Sequence, residues 1–186
     1  MSRRPESGTL SVAVSPSDHT QGPEAASVTL VEYGDFECPN CAQAYPAVKI
    51  LRKHFGEHVR FVFRHFPLRE VHPHAELAAE AAEAAGAQHK FWRMHGLLFE
   101  NQLDLKAKRL RQFADQAELD LERYDFEIND HVHLQRVQEH IEGGTRSGVR
   151  STPTFFVNGV LRDVSFGLER LQQAIDAEIG RLSRDP

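Results

Sequence analysis

Residues 28–41 read VTLVEYGDFECPNC. The run Val28–Tyr33 is β-branched and apolar, which predicts a strand. Cys38-Pro39-Asn40-Cys41 follows with almost no gap and holds both cysteines of the chain. From Pro39 the pattern turns helical: Cys41, Ala44, Val48, Leu51 and Phe55 recur at spacings of three and four and share one face. Pro46 is expected to kink this helix and Gly56 to close it. A second strand, Val59–Phe66, completes a β-α-β unit whose two parallel strands need cover on both sheet faces. Two thiols where a strand hands over to a helix meet unpaired backbone N–H groups and the positive end of a dipole, a setting that favours thiolate.

The rest of the chain is arranged around that unit. Residues 1–27 are rich in Ser, Pro, Gly and Glu and read as an arm, with a candidate edge strand at Leu10–Val14. Residues 28–67 hold the β-α-β unit, and 68–147 read as a helical insertion of about four helices. His74–Ala85, closed by Gly86, is the first; Phe91–Phe99 with Trp92 in the core is the second. Leu110, Phe113, Ala114 and Ala117 mark a third, and Leu134, Val137 and Ile141 a fourth that ends before Gly143-Gly144. Residues 148–186 return to strand at Thr154–Val157, turn at Asn158-Gly159 into Val160-Leu161, and finish in a helix marked by Leu168, Leu171, Ile175 and Leu182.

Composition narrows the function. The chain has 186 residues, 40% hydrophobic and 26% charged, which is ordinary globular material with enough length for a core. A net charge of −5, with 22 basic residues scattered, argues against nucleic acid or an anionic membrane as partner. No apolar stretch approaches the roughly 20 residues that cross a bilayer. Arg3 and Arg4 lack the apolar core of a secretory signal behind them, so a cytoplasmic location is expected. On that premise, reduction or stress response is favoured over bulk disulfide formation.

The two sulfurs are expected to differ. Cys38, at the mouth of the helix, is read as exposed, lower in pKa and the attacker; Cys41, one turn in, is shielded and resolves the mixed disulfide. Pro39 preorganises the first turn without wasting an N–H. Glu32 points the same way as Val28 and Leu30, either as a buried acid of raised pKa that takes the Cys41 proton or as a strand-end glutamate facing solvent. A CxxC is also half of a zinc site, for which His65, His72 and His74 would have to supply the rest. The eleven histidines are scattered, and the β-α-β context favours redox chemistry with no metal and no organic cofactor.

With these residues in view, the segment 31–41, VEYGDFECPNC, resembles the active-site strand and turn of bacterial DsbA-like thiol:disulfide oxidoreductases of the thioredoxin superfamily. The likeness continues through FRHFPL (63–68), HPHAELAAEAAEAAG (72–86), FWRMHGLLFENQ and GVRSTPTFFVNG (148–159), over roughly residues 10–182. The resemblance implies a thioredoxin-like α/β fold with an inserted helical subdomain. It implies Cys38 as nucleophile, Cys41 as resolving cysteine and Glu32 as the buried acid beneath them. Pro153 is similar to the family's cis-proline, which would set the Thr152 backbone beside Cys38 to pair with a substrate strand.

Two positions depart from the pattern. Asn40 stands where the most oxidising relatives carry histidine; it can donate a hydrogen bond but brings no charge, so a less depressed thiol and a less oxidising couple are expected. Ser151 stands where many relatives have glycine. The function implied is disulfide exchange with protein or peptide thiols. Two alternatives stay open: a redox-inactive peptide-binding or holdase module, and a glutathione-linked isomerase or transferase of the same fold.

Overall fold

The computed structural model describes residues 8–164 and 167–184. Of the N-terminal arm, residues 1–7 lie outside the described residues. Chain order is β1 (His19–Gln21), β2 (Val28–Gly34), α1 (Pro39–Phe55), β3 (Val59–His65), α2 (Ala75–Gly86), α3 (Phe91–Glu100), α4 (Ala107–Gln116), α5 (Leu121–Asn129), α6 (Leu134–Arg146), β4 (Thr154–Val157), β5 (Val160–Arg162) and α7 (Glu169–Leu182). The sheet runs β1-β3-β2-β4-β5. Only the β2–β3 pair is parallel, in register Leu30↔Phe61 and Glu32↔Phe63, with α1 as its crossover.

Side-chain alternation divides the sheet into two faces. Val28, Leu30, Phe61, Phe63, Phe155 and Val157 face a large core that takes in the buried stripe of α1, most of the inserted helices, and Leu171 and Ile175 of α7. Val31, Tyr33, Val62 and Phe156 face a smaller core with Phe66, Val149 and Ile141. Glu32 belongs to the first row, so its carboxyl is directed into the larger core. The alanines of α2 are buried on every side, which lets α3, α4, α5 and α6 all approach that helix.

Several expectations are corrected. The edge strand is His19–Gln21, antiparallel to β3, and not Leu10–Val14. The carbonyls of Val12 and Ala13 instead accept from the buried Arg64 guanidinium, which also donates to both oxygens of Asp18 and to Tyr33 Oη. That arginine pins the arm across the sheet and leaves no ladder for those residues. The insertion carries five helices. The additional one, α5, is short and polar, but Asp120 marks it as an N-cap whose side chain accepts from Arg123 N–H. Helix α1 continues through Pro46, and Gly56, at φ +52°, closes it as expected.

Gly143 and Gly144 do not end the fourth expected helix; α6 runs through them to Arg146. They are there for contact. A Cβ on Gly144 would lie 2.8 Å from Phe66 Cδ2 and 3.0 Å from Tyr33 Cε1, and one on Gly143 would lie 3.1 Å from Val12 Cγ2. Gly144→Ala should therefore destabilise the protein by about 1–3 kcal/mol despite the better helix propensity of alanine. Gly180→Ala, in α7 with only the Arg184 guanidinium within 4.0 Å of the added carbon, should stabilise by roughly 0.5–1 kcal/mol. Denaturant midpoints at constant slope check both; equal shifts of the same sign would contradict the packing argument.

Candidate active site

Cys38 is the N-cap of α1, in extended conformation at φ −78° and ψ 122°, with Pro39 as the first helical residue. The turn leading to it is tied down from three directions. The buried Asp35 carboxylate accepts from Glu37 N–H at 2.7 Å, Leu68 N–H at 2.8 Å and His72 Nδ1 at 2.7 Å. Glu37 accepts from both the backbone N–H and Nδ1 of His74, each at 2.7 Å. From the helical insertion, Gln102 Nε2 donates to the carbonyls of Phe36 (3.0 Å) and Cys38 (2.7 Å). Asp35, Glu37 and Gln102 went unnoticed in the sequence because, apart from the Glu37 N–H on Asp35, their partners lie more than thirty residues away.

Both cysteines are free thiols, and both are buried. Cys41 is 0% exposed, as its place on the apolar stripe predicts. Cys38 is only 4% exposed, which corrects the expectation of an exposed attacker. The cover is the 151–153 segment: protonated Cys38 Sγ donates to the Thr152 carbonyl at 3.3 Å. The Thr152–Pro153 peptide bond is cis, as the resemblance implied. Beside the sulfur opens a groove of about 600 Å³ whose lining includes Asn40, Ala44, Ala47, Thr152, Pro153 and Leu168.

The electrostatics separate the two thiols. Cys38 is pulled down from 9.0 to about 5, first because Cys41 Sγ–H donates to it. Burial opposes this; the Thr152 hydroxyl and the backbone N–H groups of Cys41 and Asn40 add to it. The Thr152 hydroxyl has no other hydrogen-bond partner and is free to turn to the ionised sulfur. Asn40 thus contributes through its backbone and not its amide. Cys41 is pushed well above its ordinary range by burial first, then by its donation to Cys38 and the charge of Glu32. Asp35 N–H, 3.5 Å from Cys41 Sγ, acts in the opposite sense. Glu32, 3% exposed, is raised to about 8 by burial and then by the Cys38 charge. Of the two readings of Glu32, the geometry fits the buried acid.

The histidines offered for zinc lie elsewhere. His72 and His74 spend ring nitrogens on Asp35 and Glu37. His65 Nε2 lies 2.8 Å from Glu83, whose carboxylate also meets His19 Nε2 at 3.0 Å, while His65 N–H donates to His140 Nδ1 at 3.1 Å. Among the described residues, His65, Glu83 and His140 bring ligand atoms within 4.8 Å of one another, and that cluster contains no cysteine.

Comparison with known proteins agrees with this geometry. A family model described as thioredoxin matches residues 14–177. A Salinispora arenicola protein named Na(+)/H(+) antiporter NhaA 1 is 48% identical over 167 residues, covering 89% of this chain and 26% of that protein. The chain thus spans about a quarter of the length of the curated relatives it matches. Among the described residues no helix is long and apolar enough to cross a membrane. The oxidised BdbD of Bacillus subtilis superposes with a TM-score of 0.83 at 23% identity, covering 94% of this chain and 98% of that one. The thiol-disulfide exchange protein alpha-DsbA2 of Wolbachia pipientis gives 0.74 at 18% identity, with 87% of each chain covered.

The cytoplasmic placement does not stand. The similar structures include a periplasmic thioredoxin-like protein of Salmonella enterica serovar Typhimurium, with a TM-score of 0.72 at 18% identity over 89% of this chain and 92% of that one. A chain that spans a quarter of its relatives offers no reading of compartment from its own N-terminus, and the preference for reduction that rested on it falls too. What remains is the fold, the paired thiols at a helix mouth and the Pro153 segment lying over them. The chain belongs to the thioredoxin family.

Proposed function

We propose that this chain exchanges disulfides with protein or peptide thiols through Cys38 and Cys41, and that it works as a disulfide donor. The observation that carries the reading is the inequality of the two sulfurs. Cys38 keeps a small exposed surface next to the groove-lining Thr152 and is the one held as thiolate near neutrality; Cys41 is fully sealed. In the donor direction, a client thiolate attacks Cys38 Sγ of the Cys38–Cys41 disulfide. The S–S bond breaks, Cys41 leaves and takes a proton from Glu32, and a client–Cys38 mixed disulfide forms. A second client thiolate then attacks the client sulfur, releasing Cys38 as a stabilised thiolate and the client as a disulfide. Stabilising the thiolate lowers the free energy of the reduced form, which makes the disulfide form the stronger oxidant.

Thr152 and Pro153 belong to this reading as the segment that receives the client chain. The Thr152 carbonyl and hydroxyl both lie at Cys38, so an extended peptide bound along 151–153 would bring its sulfur in line with Cys38 Sγ. Pro39 sets the first helical turn and Asn40 supplies an N–H to the thiolate while its side chain lines the groove. The glutathione-linked alternative makes Cys41 dispensable, yet Cys41 is the largest stabiliser of the Cys38 thiolate.

Three outcomes follow from these roles. Cys41→Ser should accumulate a mixed disulfide at Cys38 with a disulfide-bonded client, the Cys38 thiolate attacking the client S–S bond and releasing the other client sulfur as a thiol, while Cys38→Ser should form none; mass spectrometry of the quenched adduct decides, and equal behaviour of the two variants would contradict the roles. Thr152→Val should weaken the thiolate by about 1 kcal/mol, a roughly fivefold shift of the dithiol–glutathione equilibrium towards a less oxidising couple. The third outcome concerns stability. A thiol whose pKa drops on folding stabilises the reduced folded state above the ordinary thiol pKa of 9.0, and that gain is lost as pH falls through about 5. The disulfide form has no thiolate, and its short loop constrains the unfolded chain little. Reduced protein should therefore unfold at higher denaturant than oxidised protein at pH 8, with the gap narrowing towards pH 5; an oxidised form more stable throughout would contradict a donor.

A further inference from the structure

Two buried polar atoms with no hydrogen-bond partner belong to the walls of one cavity. They are Glu32 Oε1 and His95 Nε2, on residues 3% and 5% exposed. The cavity, about 220 Å³, has Val48 and Phe61 as apolar walls, and Gln21, Lys49 and Arg52 also line it. Lys49 is exposed and Gln21 and Arg52 are half-buried, so the space leads from the acid beneath the thiols towards the surface. It also leads away from the client. On α1 the cavity is lined by Tyr45, Val48, Lys49 and Arg52, whereas the groove takes Asn40, Gln43, Ala44 and Ala47, a different face of the same helix.

A buried carboxyl and a buried imidazole nitrogen without partners each carry a desolvation cost that water in the same space removes. At about 30 Å³ per molecule of liquid water, the cavity has room for several. We propose that this cavity is a hydrated proton conduit, and that His95 is a positioning residue that holds the water linking Glu32 to solvent. The proposal rests on the disulfide-exchange reading above and concerns its proton.

When a mixed disulfide on Cys38 is resolved, Cys41 Sγ–H passes its proton to the Glu32 carboxylate. The Cys41 thiolate then forms the bond to Cys38 Sγ, the Cys38–client bond breaks, and the client leaves as a thiolate that is protonated by solvent. Two electrons move from the dithiol to the client disulfide. Glu32 then releases its proton through the cavity past Lys49 and Arg52, and in the donor direction it refills by the same path. His95 suits this task because it does not ionise. Burial first, then the charges of His65, Arg52, His19 and Lys49, push it well below its ordinary range. The rings of Phe36, Phe63, Phe91 and Phe99 surround it. A neutral imidazole orients water and adds no charge beside Glu32. The titratable groups facing the pair are Cys38 at the N-cap of α1, Cys41, Tyr45, Lys49 and Arg52 on α1, His65 on β3 and His19 on β1.

The test is the rate at which a preformed mixed disulfide on Cys38 is resolved by Cys41, followed by stopped flow across pH. His95→Leu should slow resolution roughly tenfold, as for loss of one well-placed hydrogen bond, while leaving the alkylation rate of Cys38 unchanged. His95→Gln should restore most of the loss. In a Glu32→Gln background, His95→Leu should have no further effect. An equal slowing in that background marks a packing defect and overturns the conduit, as does an unchanged rate in His95→Leu. Should His95→Leu not fold, wild-type protein still decides. The protonated Glu32 carboxyl band, identified by its loss in Glu32→Gln, should shift within the mixing time on transfer to deuterated water; slow exchange overturns the conduit. Failure of Cys38 to form the mixed disulfide at all would overturn the oxidoreductase reading itself, and the conduit with it.

Discussion

The site depends on one inequality, the stabilisation of the Cys38 thiolate by the buried Cys41 thiol. Its direction is fixed by burial. Cys41 sits wholly inside, where ionisation is disfavoured, so it keeps its proton and offers it; Cys38 sits at the helix mouth, where N–H groups and a positive dipole end accept a negative sulfur. Reversing either condition would leave two ordinary thiols. Glu32 strengthens the difference, since its charge in the same apolar pocket penalises a second anion on Cys41.

The rest of the fold serves to keep that sulfur pair in register. Strand β2 delivers the turn, and Pro39 starts the helix at the residue after Cys38. The turn itself has little internal structure and is held from outside: by Leu68 and His72 through Asp35, by His74 through Glu37, and by Gln102 from the end of α3 through two carbonyls. The helical insertion is therefore part of the site. It supplies Phe91 and Phe99 to the aromatic shell around His95, while the Thr152–Pro153 segment covers Cys38 from the other side.

Much of this was legible in the sequence because it is written locally. A β-branched run, a proline after a cysteine, a stripe at spacings of three and four, and Asn-Gly between apolar runs each specify structure within a few residues, and each produced the element expected. Cys41 was readable for the same reason, from periodicity along α1; alternation along β2 put Glu32 in the row of Val28 and Leu30 but left its burial open, and the family resemblance favoured the buried acid. What was not legible depends on distant partners. Leu10–Val14 alternates like a strand, but its carbonyls are claimed by Arg64, some fifty residues on. Gly143-Gly144 looks like a helix stop until Phe66 and Tyr33 are seen to occupy the space a Cβ would need. The covering of Cys38 by Thr152 spans the whole domain, and no local pattern foretells how far a loop will lie across a sulfur.

The most direct measurement is the ultraviolet thiolate absorbance of Cys38 as a function of pH, in the wild-type chain and in Cys41→Ala. The account places the wild-type transition near pH 5, and has it move towards the ordinary thiol range once the donor at Cys41 is gone. A wild-type transition near pH 9, or one near pH 5 that Cys41→Ala leaves in place, would contradict it.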